Sequence, residues 1–223
     1  RHCWQIYIEE VEGAIMNLQT AQAAAGMFLG LIYASCEEVM ICGSVRRQKP
    51  DDIHDIEIVT RPRVYKEIVG LFGEAQTSSE LNAKIAALLH QGVVSLHVDA
   101  RGATCNGEKH KKLMYRGAMI DLYTAETGNW GNIVAIRTGN ADFSRLLVTK
   151  RNAGGFMPSH LRQQDGYLWN GDERIDCLTE QAFFAALGLE WVEPEHRNKI
   201  TADALLRKTK MSASAAIAEM VTP

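Results

Sequence analysis

The run Asp55-Ile56-Glu57-Ile58-Val59 sets two carboxylates among β-branched residues, and no other feature restricts the fold as much. Successive side chains on a strand point to opposite faces. Asp55 and Glu57 therefore share one face, and Ile56 and Ile58 enter the core from the other. Met119-Ile120-Asp121-Leu122-Tyr123 repeats the pattern with one acid. Placed side by side, the two strands gather three carboxylates. Like charges this close raise one another's pKa unless a cation neutralises them. Hard oxygen donors of this type suit Mg²⁺ or Mn²⁺. Any one of these acids alone reads as a solvated side chain on an open sheet face.

The remaining periodicities supply partners for such a sheet. Apolar residues at helical spacing predict helices over residues 4–20, 21–34, 65–72 and 82–90. Short apolar or alternating runs predict strands over 39–42, 53–60, 93–99, 112–115 and 119–124. Beyond these, helices are expected over 132–137, 142–151 and 179–187. A small hairpin is expected in the glycine-rich stretch 154–176, and a helical tail after Asn198. The expected class is α+β: a mixed or antiparallel sheet with helices on one face, joined to a small C-terminal α/β subdomain. The composition shift near Ala125–Gly131 suggests the partition 1–36, 37–125, 126–198 and 199–223.

At 223 residues the chain buries enough surface to fold without disulfides. Its five scattered cysteines form no Cys-x-x-Cys pair and argue against a structural zinc site. No apolar run approaches a membrane span, so a cytoplasmic protein with no membrane partner is expected. The net charge of −3 hides an asymmetry: residues 101–162 carry ten Lys/Arg against four Asp/Glu. A basic stretch in an acidic chain can steer a polyanion to one face. Lys109, Lys111, Lys112, Arg116, Arg145, Lys150 and Arg151 are the candidate contacts to a nucleic-acid backbone.

Gly43-Ser44-Val45-Arg46-Arg47 follows the first predicted strand, with Asp55 eleven residues beyond Ser44. A glycine there lets the backbone approach a phosphate. A serine hydroxyl, exposed amides and an arginine fork are suitable phosphate partners. Taken together, Ile41-Cys42-Gly43-Ser44-Val45-Arg46-Arg47 and Asp55-Ile56-Glu57-Ile58-Val59 resemble the catalytic palm of family X DNA polymerases, the DNA polymerase beta group. Ile120-Asp121-Leu122-Tyr123 is similar to the strand bearing that family's third metal carboxylate. Ile136-Arg137-Thr138-Gly139-Asn140 resembles its nucleotide-pocket turn, and Ala185–Arg197 its C-terminal segment.

The resemblance implies a metal-dependent nucleotidyltransferase, a small DNA polymerase that extends a primer 3′-hydroxyl and releases pyrophosphate, with gap filling as one setting. Asp55 and Glu57 would bind two divalent cations, Mg²⁺ or Mn²⁺. Asp121 would bind the catalytic one and help activate the attacking hydroxyl. Gly43, Ser44 and Arg47 would hold the triphosphate. Arg137 and Gly139 would line the sugar pocket, and Ser144 would touch the incoming base. The implied partners are a nucleoside triphosphate and primer/template DNA, and a monomer is expected. The chain departs from the family at Glu57, where the polymerases have Asp, and at Ile136-Arg137, where they have an aromatic pair. The second departure predicts weak discrimination between deoxy- and ribonucleotides. No counterpart of the family's N-terminal lyase domain is recognised, so a minimal form with weak, salt-sensitive, distributive DNA binding is expected. A template-independent transferase acting on RNA, a small molecule or a protein would use the same metal site. A catalytically silent nucleic-acid-binding module is the reading from another class.

Overall fold

The computed structural model describes residues 14–69 and 74–198. Most of the helix expected over 4–20, and the whole of the tail after Asn198, lie outside the described residues. Helix α1 (Leu18–Ile32) starts at Asn17, whose side chain accepts from the Thr20 amide at 2.9 Å. This cap satisfies one of the free amides of the first turn. Ala21, Ala24, Ala25, Phe28 and Ile32 form its buried stripe at helical spacing. The alanines let α1 lie close to the sheet.

The central sheet has the order β1-β2-β7-β6-β5. Its strands are β1 (Cys36–Ile41), β2 (Asp55–Pro62), β5 (Ser95–Leu96), β6 (His110–Tyr115) and β7 (Ala118–Thr124). A short helix α2 (Gly43–Arg46) follows β1, and α3 (Glu80–His90) lies beside α1. All neighbouring strands are antiparallel except β2 and β7. Ile56, Ile58, Leu113, Ile120 and Leu122 pack with α1 and α3 into the main core. The alternating residues of β2 and β7 are thus left on the helix-free face.

Two expectations are corrected here. Residues 65–69 are not helical: β3 (Val64–Val69) pairs antiparallel with β4 (Glu74–Ser79) as a separate two-stranded sheet. Tyr65, Ile68 and Val69 mimic helical spacing, but they are strong strand formers, and pairing with a partner decides the conformation. The strand expected over 93–99 shrinks to Ser95–Leu96. The chain then leaves the sheet in a turn at Asp99, whose carboxylate accepts from the Arg101 and Ala103 amides.

The C-terminal subdomain begins with α4 (Trp130–Thr138) and α5 (Ala141–Val148). The expected hairpin is a three-stranded meander of β8 (Leu161–Gln164), β9 (Tyr167–Asn170) and β10 (Glu173–Ile175), and α6 (Glu180–Ala186) follows. Its core holds Phe143, Phe156, Phe183 and Phe184, with ring centroids 5.8–6.4 Å apart in three pairs. A smaller core of Cys42, Val59, Tyr123, Trp130 and Val134 seats α4 on one end of the helix-free sheet face.

A charged knot ties the two parts together. Arg46 donates to Thr138 Oγ1 at 2.7 Å and to Glu180 Oε2 at 2.5 Å. The other oxygen of Glu180 accepts from Arg197 at 2.6 Å. Glu180 is 6% exposed and Arg197 0%. Removing one partner of a buried charge cluster leaves the others uncompensated. Glu180→Ala is therefore expected to destabilise the protein by about 3–5 kcal/mol, checked by urea denaturation. Exposed Asp142→Ala, which breaks the surface pair with Arg145, is expected to cost less than about 1 kcal/mol.

Candidate active site

The parallel register of β2 on β7 sets Asp55 opposite Met119 and Glu57 opposite Asp121. Asp55, Glu57 and Asp121 all point away from Ile56, Ile58, Ile120 and Leu122, which lie in the helix-side core. The three acids thus share the face that sequence alternation predicts. Asp121 is 5% exposed. Burial raises the Asp55 pKa most, and the neighbouring Asp121 carboxyl raises it further. Burial, with the Asp55 charge second, pushes Glu57 from an ordinary 4.5 up to about 8, against the lowering pull of Arg137 and Arg47. A site that raises its own carboxylate pKa values in this way is short of positive charge.

Among the described residues, no three His, Cys, Asp or Glu side chains form a group already arranged to hold a metal ion. The donor chemistry suits a hard cation, but the expected cluster is not closed. Glu57 lies against Gly43, where an added Cβ would stand 3.0 Å from its Cδ. Gly43 has φ +58°, a left-handed conformation that few residues other than glycine adopt readily. The turn at the head of α2 thus accommodates the Glu57 side chain.

The other predicted residues divide into groups. Ser44 accepts at its Oγ from Arg47 at 3.1 Å. Arg47 is 8% exposed, and it also donates to the carbonyls of Thr138 and Gly139 at 2.8 and 2.9 Å and to Asn198 Oδ1 at 2.7 Å. Its guanidinium therefore braces the Thr138-Gly139 turn. Ser144 donates to the Ile136 carbonyl at 2.5 Å. Gly139 gives room for that contact, since an added Cβ would sit 2.7 Å from Ser144 Oγ. Arg137 lies over the Tyr123 ring, 3.8 Å from its centroid. This stack brings the C-terminal subdomain onto the carboxylate face.

The basic candidates do not form one surface. Lys109, Arg137, Lys150 and Arg162 line a cavity of about 880 Å³ between the sheet and the meander, with His110 and Gln163. Lys112 Nζ stands 3.7 Å from Asp121 Oδ2. Lys111 faces the opposite way, is 7% exposed, and donates to Gly107 O and Asn106 Oδ1. Arg151 is taken up by the carbonyls of Phe156 and Leu187. Arg116 sits on the β6–β7 turn against Met27, and Arg145 pairs with Asp142 on the surface. Arg162 and His110 belong to the cavity although the sequence did not mark them. Strand alternation in β6 distinguishes Lys111 from Lys112. Only the β6–β7 register places His110 beside Tyr123 and Lys112 beside Asp121.

The raised Glu57 pKa has a consequence for stability. Between pH 4.5 and 8 the folded Glu57 keeps a proton that the unfolded chain has lost. Folding stability contributed by this group therefore falls as pH rises through that window, by at most about 1.4 kcal/mol per pH unit. Glu57→Gln is expected to remove that part of the slope, measured by urea denaturation in chelator from about pH 5 to pH 9. Gly43→Ala is expected to destabilise by about 1–3 kcal/mol, through a strained φ and the displaced Glu57 side chain.

Comparison with known proteins agrees with this fold. Residues 134–198 match the DNA polymerase beta thumb family. No curated protein matches the chain. Among solved structures, a ternary P/T complex of polymerase beta from Leishmania infantum is similar, with 15% identity and a TM-score of 0.58. That match covers 84% of this chain and 78% of that one. The ternary gap complex of the same protein gives 14% identity and a TM-score of 0.62, over 83% of this chain and 71% of that one. At such identities the structural matches speak for the fold, while the thumb match ties the C-terminal sequence to a named family. Residues 134–198 are thus similar to a polymerase beta thumb, and the chain as a whole shares the palm-and-thumb fold of those polymerase beta structures.

Proposed function

We propose that this protein is a metal-dependent nucleotidyltransferase that extends a DNA primer 3′-hydroxyl with a nucleotide and releases pyrophosphate, on primed or gapped DNA. The observation that carries this reading is the register that sets Glu57 opposite Asp121, with Asp55 on the same sheet face. In this reading residues 37–125 form the catalytic palm, and 126–198 bind the nucleotide and the DNA. Asp55, Glu57 and Asp121 hold two Mg²⁺ or Mn²⁺ ions. When bound, such ions stabilise the attacking and leaving oxygens of an in-line displacement.

The chain's own residues supply the rest. Asp121, on the same sheet face as Asp55 and Glu57, accepts the proton of the attacking hydroxyl. The turn at Gly43-Ser44 takes the triphosphate once Glu57 moves off Gly43. Arg47 holds this turn against Thr138-Gly139 and so ties the phosphate-binding and sugar-binding segments together. Lys109, Arg137, Lys150 and Arg162 outnumber Glu126 and Asp165 around the neighbouring cavity, a positive balance that suits a nucleic-acid backbone. Little covalent chemistry is left for the protein beyond positioning and charge neutralisation.

Single-nucleotide extension on gapped, recessed and single-stranded DNA, with Mg²⁺ or Mn²⁺, tests this directly. Templated addition on gapped or recessed DNA is expected, and Asp121→Asn is expected to lower the rate by about 10²–10⁴-fold. Untemplated addition on single strands alone would replace the polymerase reading with terminal transfer. DNA binding without addition under any condition would replace it with a silent binding module. Ile136-Arg137 in the sugar pocket gives a further expectation: matched ribo- and deoxynucleotides are incorporated with comparable efficiency, and a strong deoxy preference contradicts it.

A further inference from the structure

His110 stands beside the third carboxylate, yet none of the roles above uses it. Its Nε2 lies 3.1 Å from Asp121 Oδ1, and its ring stacks on Tyr123 with centroids 4.3 Å apart and planes within 6°. The Arg137 guanidinium lies over the same Tyr123 ring at 3.8 Å. Two planar groups at these distances cannot share one face of a six-membered ring, so His110 and Arg137 sandwich Tyr123. The second ring nitrogen, Nδ1, is 3.3 Å from Cys105 Sγ. The backbone of Cys105 is itself held, because its carbonyl accepts from the Lys112 amide at 2.8 Å. The imidazole is thus fixed in its plane by Tyr123 and in rotation by Cys105 and Asp121.

We propose that His110 is a positioning residue for Asp121. It donates Nε2–H to Oδ1 and so holds the carboxylate plane, with Oδ2 left for a cation or the primer hydroxyl. This inference rests on the nucleotidyltransferase reading of the same site. Lys112 does not supply the same restraint. Its ammonium stands 3.7 Å from Oδ2, beyond hydrogen-bond range, on a flexible side chain. Carboxylates that bind metals are themselves held by hydrogen bonds, and loss of such a partner weakens metal affinity or turnover. The stack adds a structural route to the thumb, because Arg137 on α4 presses on Tyr123, which in turn supports the His110 ring. A glutamine is the informative replacement, since its side-chain amide can donate from nearly the same position as Nε2.

The test compares wild type, His110→Leu and His110→Gln by Mn²⁺ titration followed by water-proton relaxation, and by single-nucleotide extension. Thermal melting confirms that each variant is folded. His110→Leu is expected to weaken Mn²⁺ binding or lower kcat by about 10–100-fold, with KM for the nucleotide nearly unchanged. His110→Gln is expected to recover most of the loss. Folded variants that match wild type in both readouts overturn the proposal, as does a glutamine no better than leucine. A wild type that binds Mn²⁺ but extends no primer overturns the transferase reading alone, and the Mn²⁺ arm still decides the role of His110. A wild type that does neither overturns both.

Discussion

The parallel pairing of β2 with β7 is the constraint on which the rest of the structure depends. A shift of one residue in either strand would turn its acids into the α1–α3 core and its isoleucines toward solvent. The register is held because Ile56, Ile58, Ile120 and Leu122 are all buried on the helix side. Burial of four branched chains thus fixes the place of three carboxylates that on their own would repel one another. The electrostatic cost is visible in the raised pKa values of Asp55 and Glu57. A site built at such a cost is one where opposite charge is expected to arrive with the substrate.

The thumb is joined to this face by planar and charged groups as well as by the small core under α4. Arg46, Glu180 and Arg197 form a buried cluster, and Arg47 spans from Ser44 to the Thr138-Gly139 turn. Arg137 closes the contact from above, on Tyr123. These bonds are directional and sit where palm and thumb meet, so they set an angle as well as a distance. Arg47, which the sequence suggests for phosphate binding, and its neighbour Arg46 are therefore largely occupied with holding the two parts together.

Much of the site was legible because strand alternation is local. Asp55, Glu57 and Asp121 are each flanked by residues whose burial is hard to satisfy in any other way, and period-two patterning needs no knowledge of the partner strand. The segment Val64–Val69 shows where this fails. Its apolar spacing suits a helix as well as a strand, and only the distant partner Glu74–Ser79 decides. His110 carries no local signal for the same reason, since its neighbours Asp121 and Tyr123 are eleven and thirteen residues away across a hairpin. Lys111 was readable in principle, because alternation places it opposite Lys112, but a count of positive charge ignores facing. Glu180 looks in sequence like an ordinary acid in a helix first turn. Its role as the common partner of two arginines appears only once palm and thumb are joined.

The β2–β7 face is expected to assemble around divalent cations. Anomalous diffraction from crystals grown with Mn²⁺ and a non-hydrolysable nucleoside triphosphate tests it most directly. Manganese peaks bounded by Asp55, Glu57 and Asp121 are expected, with Glu57 swung away from Gly43 to reach them. Nucleotide bound elsewhere with no manganese on this face, or a peak that Asp121 does not touch, would contradict it.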